Sequence, residues 1–97
     1  MSDLQCPATV VLVGSGRLEA EATRRVLAGR AVAAVFDLAP PDGPALRRSV
    51  DDLSDLHRGE TIVVVAAPRT IADALGMTRD GQVVVAVDSD GWTVLDQ

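Results

Sequence analysis

The chain has 97 residues, of which 47% are hydrophobic, and its formal net charge at pH 7 is −5. This length accommodates one domain with a single core, so we expect residues 1–97 to fold as one unit. An acidic chain lacks the basic face that attracts nucleic acid and anionic membranes, which argues against both as partners. All nine basic residues are arginine, a composition bias that we attribute to a GC-rich genome. The absence of lysine excludes Schiff-base and P-loop chemistry.

The cysteine content and the longest apolar runs indicate the cellular compartment of the protein. Cys6 is the only cysteine, so no internal disulfide can form and nothing indicates an oxidising compartment. The first residues, MSDLQCPA, are acidic and unlike a secretory signal, and no apolar run approaches the roughly 18 residues of a membrane span. We therefore expect a cytoplasmic protein.

The first half of the chain alternates between apolar runs and amphipathic segments. Ala8–Val13 is a continuous, mostly β-branched run, which predicts a strand buried on both faces. Gly14–Gly16 ends this run, and from Arg17 the apolar residues recur at helical spacing until Gly29, which suits a helix C-cap. Ala31–Phe36 then predicts a second buried strand.

The second half repeats the alternation and ends in a hairpin. After the rigid turn APPDGP, helical spacing of apolar residues predicts a helix over Ala45–Leu56. Thr61–Val65 predicts a third buried strand, and a short helix follows from about Thr70 to Leu75. The last two runs, Val83–Val87 and Trp92–Leu95, are joined by DSDG, whose turn chemistry suits a hairpin.

The resulting order, β-α-β-α-β-α-β-β, predicts an α/β fold. Strands that alternate with helices favour a mainly parallel sheet of about four to five strands with right-handed crossovers. The C-terminal hairpin should add an antiparallel edge. Helices on both faces of this sheet would make a small three-layer sandwich.

The Gly-Ser-Gly junction is the first candidate site, because ligands of parallel sheets bind at the carboxyl ends of the strands. The backbone of Gly14, Ser15 and Gly16, helped by the Arg17 side chain, can hold a phosphate at the start of a helix. Asp37, at the end of the second strand, can accept a hydrogen bond from a ribose or another hydroxyl. Alternatively, the glycines only turn the chain and Ser15 caps the helix.

The same junction matches part of the G-x-G-x-x-G dinucleotide fingerprint. Gly14 and Gly16 supply the first two glycines, and Asp37 lies 21 positions after Gly16. The third glycine position holds Glu19, where a small residue is needed and where a carboxylate would repel a pyrophosphate. The fingerprint is therefore incomplete, and we expect no cofactor.

Two groups of aspartates raise the question of a hard cation. Asp88 and Asp90 lie in the predicted hairpin turn, where aspartate side chains commonly bond to their own backbone. Asp51, Asp52 and Asp55 are better explained as the solvated face of a helix. Cysteine and histidine show no zinc-like spacing. We therefore expect no metal site.

Four segments, in order, carry a family resemblance. They are LVGSG (Leu12–Gly16), EAEATRRVLAGRAVAAVF (Glu19–Phe36), LHRGETIVVVAAP (Leu56–Pro68) and VVVAVDSDGWTVL (Val83–Leu95). Together they resemble the histidine phosphatase superfamily, the phosphoglycerate-mutase-like enzymes. The first segment stands where those enzymes read L-V-R-H-G, and the third resembles their phrase HPGETVLVVSHG. The resemblance implies a shortened member of that family.

The family's chemistry needs a nucleophilic histidine, a second histidine and two arginines that clamp the phosphate. At the matching positions this chain has Gly14 for the first arginine, Ser15 for the nucleophile and Ala67 for the second histidine. DLAPPDGP (37–44) replaces the segment that carries the second arginine, and His57 matches a non-catalytic histidine. A serine without a base is a poor nucleophile, so the resemblance implies a catalytically inactive relative.

Three functions follow, in order of preference. The first is a non-catalytic phosphatase-like domain that binds a protein partner or forms a homodimer, through the exposed sheet edge near Trp92 or through a helix face. If the chain dimerises through this sheet edge, the Val94→Pro variant is expected to be a monomer. The second is a sensor that binds phosphate, a nucleotide or another phosphorylated small molecule through residues 14–17 and Asp37. The third is an active phosphatase with an unfamiliar site.

Overall fold

The computed structural model describes residues 7–15, 21–76, 82–88 and 91–95. The elements in these ranges follow the order that the sequence predicts. They are β1 (Ala8–Gly14), α1 (Glu21–Leu27), β2 (Val32–Asp37), α2 (Gly43–Leu56), β3 (Thr61–Ala66), α3 (Pro68–Leu75), β4 (Gln82–Asp88) and β5 (Gly91–Val94). None of the helices in the described ranges is long and apolar enough to cross a membrane.

The strands form one five-stranded sheet in the order β2-β3-β1-β4-β5. β3 pairs in parallel with both β1 and β2, whereas β4 is antiparallel to β1 and β5 is antiparallel to β4. The α/β fold, with a parallel core and an antiparallel C-terminal edge, is therefore confirmed. β1 lies at the centre, where a continuous β-branched run is buried on both faces.

Side chains of the central strands alternate between two apolar faces. One face, the α2–α3 face, packs against α2 and α3. The buried residues of the strands and helices that meet there are Val10, Leu12, Leu46, Val50, Ile62, Val64, Ala66, Ile71, Ala74, Val83, Val85 and Val87. The other, the α1 face, comprises Val11, Val13, Val63, Val65 and Val84, against which Leu27 of α1 packs. Helices on both faces of the sheet make the predicted three layers.

β2 differs from its predicted environment. Its residues alternate between half-buried and exposed, with Val35 54% exposed. Ala34 and Phe36 pack against the α2–α3 face, whereas Val35 lies on the α1 face next to Val63. The prediction of a buried strand is wrong for β2, because an apolar run does not reveal whether its strand is central or at an edge.

Helix ends in the described ranges follow local capping rules. α2 begins two residues before its predicted start, because the Asp42 side chain accepts a hydrogen bond from the Ala45 N–H at 2.9 Å. α3 spans Pro68–Leu75 and is capped by Gly76, whose φ of 72° is the left-handed conformation that favours glycine. Gly29 has a φ of 81° and follows α1 as predicted. The predicted start of α1 at Arg17 lies outside the described residues.

Candidate functional site

The carboxyl ends of β1 and β3 bring together the positions that the family resemblance singles out. Gly14 pairs with Ala66, and the Ser15 N–H donates a hydrogen bond to the Ala66 carbonyl oxygen at 2.9 Å. Ala67 follows directly as the residue before α3. Gly14, Ser15 and Ala67 are thus neighbours, but none of their side chains accepts a proton at neutral pH.

The chain's single histidine lies at the opposite end of the sheet from Ser15. His57 precedes β3, whereas Ser15 follows β1 at the opposite end of the sheet, so about 20 Å, the length of β3, separates their backbones. The His57 Nδ1 lies 2.7 Å from Glu60 Oε1, and its ring contacts Phe36. Ser15 therefore lacks the neighbouring imidazole that activates a serine nucleophile.

The predicted ligand site is only partly described by the structure. Gly14, Ser15 and Asp37 all lie at the carboxyl ends of their strands, but β3 separates β1 from β2. Two strand spacings, about 10 Å, therefore lie between Gly14 and Asp37, whereas a dinucleotide-binding sheet has these two strands as neighbours. Gly16 and Arg17 lie outside the described residues. Binding of a phosphorylated ligand at this loop stays a prediction.

A shallow cavity of about 270 Å³ lies nearby, at the starts of α2 and α3. It is lined by Pro41, Asp42, Arg69, Thr70 and Asp73. Both of its carboxylates serve the fold, because Asp42 caps α2 and Asp73 Oδ2 accepts a hydrogen bond from the backbone N–H of Gly43 at 2.8 Å. The acidic groups of this cavity therefore have structural roles.

A larger polar groove, of about 460 Å³, runs between α2 and the β4–β5 hairpin. Its hairpin end lies away from the carboxyl ends of the parallel strands, because Val87 pairs with Ala8 at the start of β1. The groove is lined by Arg47, Asp51, Ser54, Asp55, Arg58, Val87, Asp88, Gly91 and Trp92.

Trp92 connects the hairpin to α2 across this groove. The Trp92 Nε1–H donates a hydrogen bond to Asp51 Oδ1 at 2.8 Å, and the guanidinium carbon of Arg47 lies 4.4 Å from the centre of the indole ring. The Arg47 Nη1 also donates to the Ala74 carbonyl oxygen at 2.8 Å. The ring packs against the α2–α3 face of the core. These contacts attach β5 to both α2 and the core.

The remaining polar groups of the groove differ in how well they are satisfied. Asp55 Oδ1 accepts a hydrogen bond from Arg58 Nη2 at 3.0 Å. Ser54 is buried, and its hydroxyl oxygen has no hydrogen-bond partner in the part of the chain that the structure describes. An unpaired buried hydroxyl is destabilising.

Within the described ranges, no group of three or more His, Cys, Asp or Glu side chains is placed to hold a metal ion, and Asp90 lies outside those ranges.

The two outer strands present a different kind of surface. β2 and β5 are the terminal strands of the sheet, so each has one edge of backbone groups that no described strand pairs. The sequence predicted the β5 edge, near Trp92. It missed the β2 edge, which offers six residues instead of four and carries no charge from Val32 to Phe36. No local signal marks β2 as an edge, because this position depends on the strand order.

No protein-family model matches the chain, and the comparisons with curated proteins and with solved structures find no match either. The histidine phosphatase relationship therefore stays a prediction from the four sequence segments.

Proposed function

We propose that this chain is a non-catalytic, phosphatase-like domain that acts by binding protein through the edge of its sheet. One observation carries the proposal: the outer edge of β2 is apolar and pairs with no other described strand, and the Val35 side chain on it is 54% exposed. Natural proteins commonly protect such an edge with lysine, proline or a very short strand. β2 has six residues and contains neither lysine nor proline. Its pairing with β3 has a single irregularity, between Val32 and Ala34.

The energetics of the edge favour association of moderate strength. Burying a whole valine side chain contributes about 1.5 kcal/mol or more, so covering the exposed half of Val35 contributes roughly half of that. Each backbone hydrogen bond that an added strand forms contributes about 0.5–1.5 kcal/mol net. Several such bonds along six residues, together with burial of Val35, exceed the lower estimates of the cost of bringing two molecules together, which leaves a net affinity of moderate strength at most.

The non-catalytic part of the proposal is supported by the side chains at the carboxyl ends of β1 and β3. Gly14, Ser15 and Ala67 supply neither a basic nucleophile nor a proton donor, and a phosphohistidine mechanism needs both. Location in the cytoplasm belongs to the same proposal and rests on the single cysteine.

Retention of partner proteins on the immobilised chain tests the binding function. We expect the wild-type chain to retain a defined partner, identified by mass spectrometry, and the Val35→Lys variant to lose it because a charge on the edge blocks strand addition. Thr93→Lys is the matched control, since it places the same charge on the exposed face of β5. Equal retention by all three chains would contradict the proposal, and so would a wild-type chain that neither retains another protein nor associates with itself.

Phosphate release from a generic phosphomonoester tests the absence of catalysis. We expect no release above that of the buffer. Turnover that is lost in Ser15→Ala, measured on protein free of contaminating phosphatase, would overturn the non-catalytic assignment.

A further inference from the structure

We infer that the partner of the β2 edge is a second copy of this chain, and that the two β2 strands pair in antiparallel orientation. The inference rests on the proposed function, because it names the partner of the same edge. The product would be a continuous ten-stranded sheet with a two-fold axis perpendicular to it. A two-fold interface of this kind requires a surface that is complementary to itself.

Charge supplies the first element of this self-complementarity. Arg30 precedes β2 and Asp37 ends it, both are exposed, and the five residues Val32–Phe36 between them carry no charge. Antiparallel pairing of two copies brings the basic end of each strand towards the acidic end of the other, whereas parallel pairing would bring like charges together. Arg30 also interacts within its own chain, so its contribution is a longer-range attraction.

The exposed valine supplies the second element. Val35 pairs with Val63 of β3 and therefore lies on the α1 face. With the two-fold axis at Val35, the Val35 residues of the two copies are directly opposite each other, and their Cβ atoms are about 5 Å apart on the same face. In this register Asp37 of one copy is opposite Ala33 of the other, three residues from Arg30, so the opposite charges attract each other over about 10 Å. Each side chain then covers the half of the other that is exposed in the monomer.

The remaining side chains of β2 permit close approach of the β2 strand of a second copy. Ala33 and Ala34 are small, and Phe36 packs inwards against the α2–α3 face. β5 is less suited to self-pairing, because it has only four residues and no charge of either sign from Gly91 to Val94 to select an orientation. The geometry and the charges thus favour β2 over the hairpin edge that the sequence predicted.

Sedimentation velocity over a series of protein concentrations tests the inference. We expect a reversible monomer–dimer equilibrium for the wild-type chain. Val35→Lys should remain monomeric at every concentration, because it places two ammonium groups opposite each other at the axis. Thr93→Lys, with the same added charge on β5, should dimerise as the wild type does. Circular dichroism confirms that each variant is folded.

Charge reversal provides a test of the antiparallel orientation. Arg30→Asp makes both ends of β2 acidic, and Asp37→Arg makes both ends basic, so each variant alone should dimerise at least several-fold more weakly than the wild type. An equimolar mixture restores opposite charges across the interface and should recover dimerisation. A mixture that associates no better than the single variants would overturn the antiparallel pairing.

The outcomes separate this inference from the proposed function. A wild-type chain that is monomeric at all concentrations, or a dimer that Val35→Lys leaves intact, would overturn the β2–β2 dimer. If such a chain still retains a different protein in a manner that depends on Val35, the proposed function stands and only the identity of the partner changes. A dimer that Thr93→Lys alone disrupts would move the interface to β5.

Discussion

Substitution of Gly43 by alanine tests whether the start of α2 is held against α3 by direct backbone contact. A Cβ atom at this position would lie 2.6 Å from Asp73 Oδ2, 2.8 Å from the backbone nitrogen of Ala74 and 2.8 Å from the carbonyl carbon of Asp73. All three distances are shorter than a real Cβ contact. Because two of the atoms belong to the backbone of α3, a change of side-chain rotamer cannot relieve the clash.

The expected loss of stability follows from three contributions. Overpacking of this kind costs about 1–3 kcal/mol. Displacement of Asp73 also weakens its 2.8 Å hydrogen bond from the Gly43 N–H, at a cost of about 1 kcal/mol in this partly exposed position. The lower entropy of the unfolded alanine chain returns about 0.4–1 kcal/mol. We expect a net destabilisation of about 2 kcal/mol, which lowers the Tm of a domain this size by roughly 10 °C.

Urea and thermal unfolding, followed by circular dichroism, measure this change. The matched control is the same substitution in an Asp73→Ala background, which removes the carboxylate but keeps the backbone of α3 in place. Gly43→Ala should still be destabilising there, by about half of its original effect because the contact with Ala74 persists. A loss below about 0.5 kcal/mol in the wild-type background, or no loss at all without Asp73, would refute backbone contact as the cause.

Two further predictions concern the groove between α2 and the hairpin. Ser54→Ala removes the buried hydroxyl that lacks a partner among the described residues, so we expect a gain of about 1 kcal/mol in the free energy of unfolding. Ser49→Ala, on the same helix, controls for helix propensity, and an equal gain there would mean that burial of the hydroxyl has no cost. Trp92→Phe keeps a ring but loses the hydrogen bond to Asp51, and we expect a loss of about 1 kcal/mol in unfolding experiments. Asp51→Ala should add little to Trp92→Phe in the double variant, and fully additive losses would argue against the bond.

Much of the local structure could be predicted from the residues themselves. The runs that became β1 and β3 are rich in valine, and helical spacing of Leu46 and Val50 predicted α2. Glycines 29 and 76 end their helices in the left-handed conformation, as a C-cap glycine should. These features depend on neighbours within one or two turns of chain, which is why the sequence alone contains them.

The candidate surfaces could not be predicted in the same way. Asp51 and Trp92 are separated by 41 positions in the chain, and neither residue type indicates the other. Val35 lies in a run that is as apolar as the central strands, yet it is half exposed because β2 lies at the end of the sheet. Asp37 and Gly14 end consecutive strands, but β3 lies between them.

The sequence by itself determined the type and order of the elements, the acidic charge and which residues stand at the positions of the proposed phosphatase resemblance. Each of these is a property of residue identity or of short-range hydrophobic periodicity. Only the tertiary structure decided which strands are central, which edges are open and which polar groups meet across the groove. Strand order is set by how the whole chain buries both faces of the sheet at once, and no single segment carries that information.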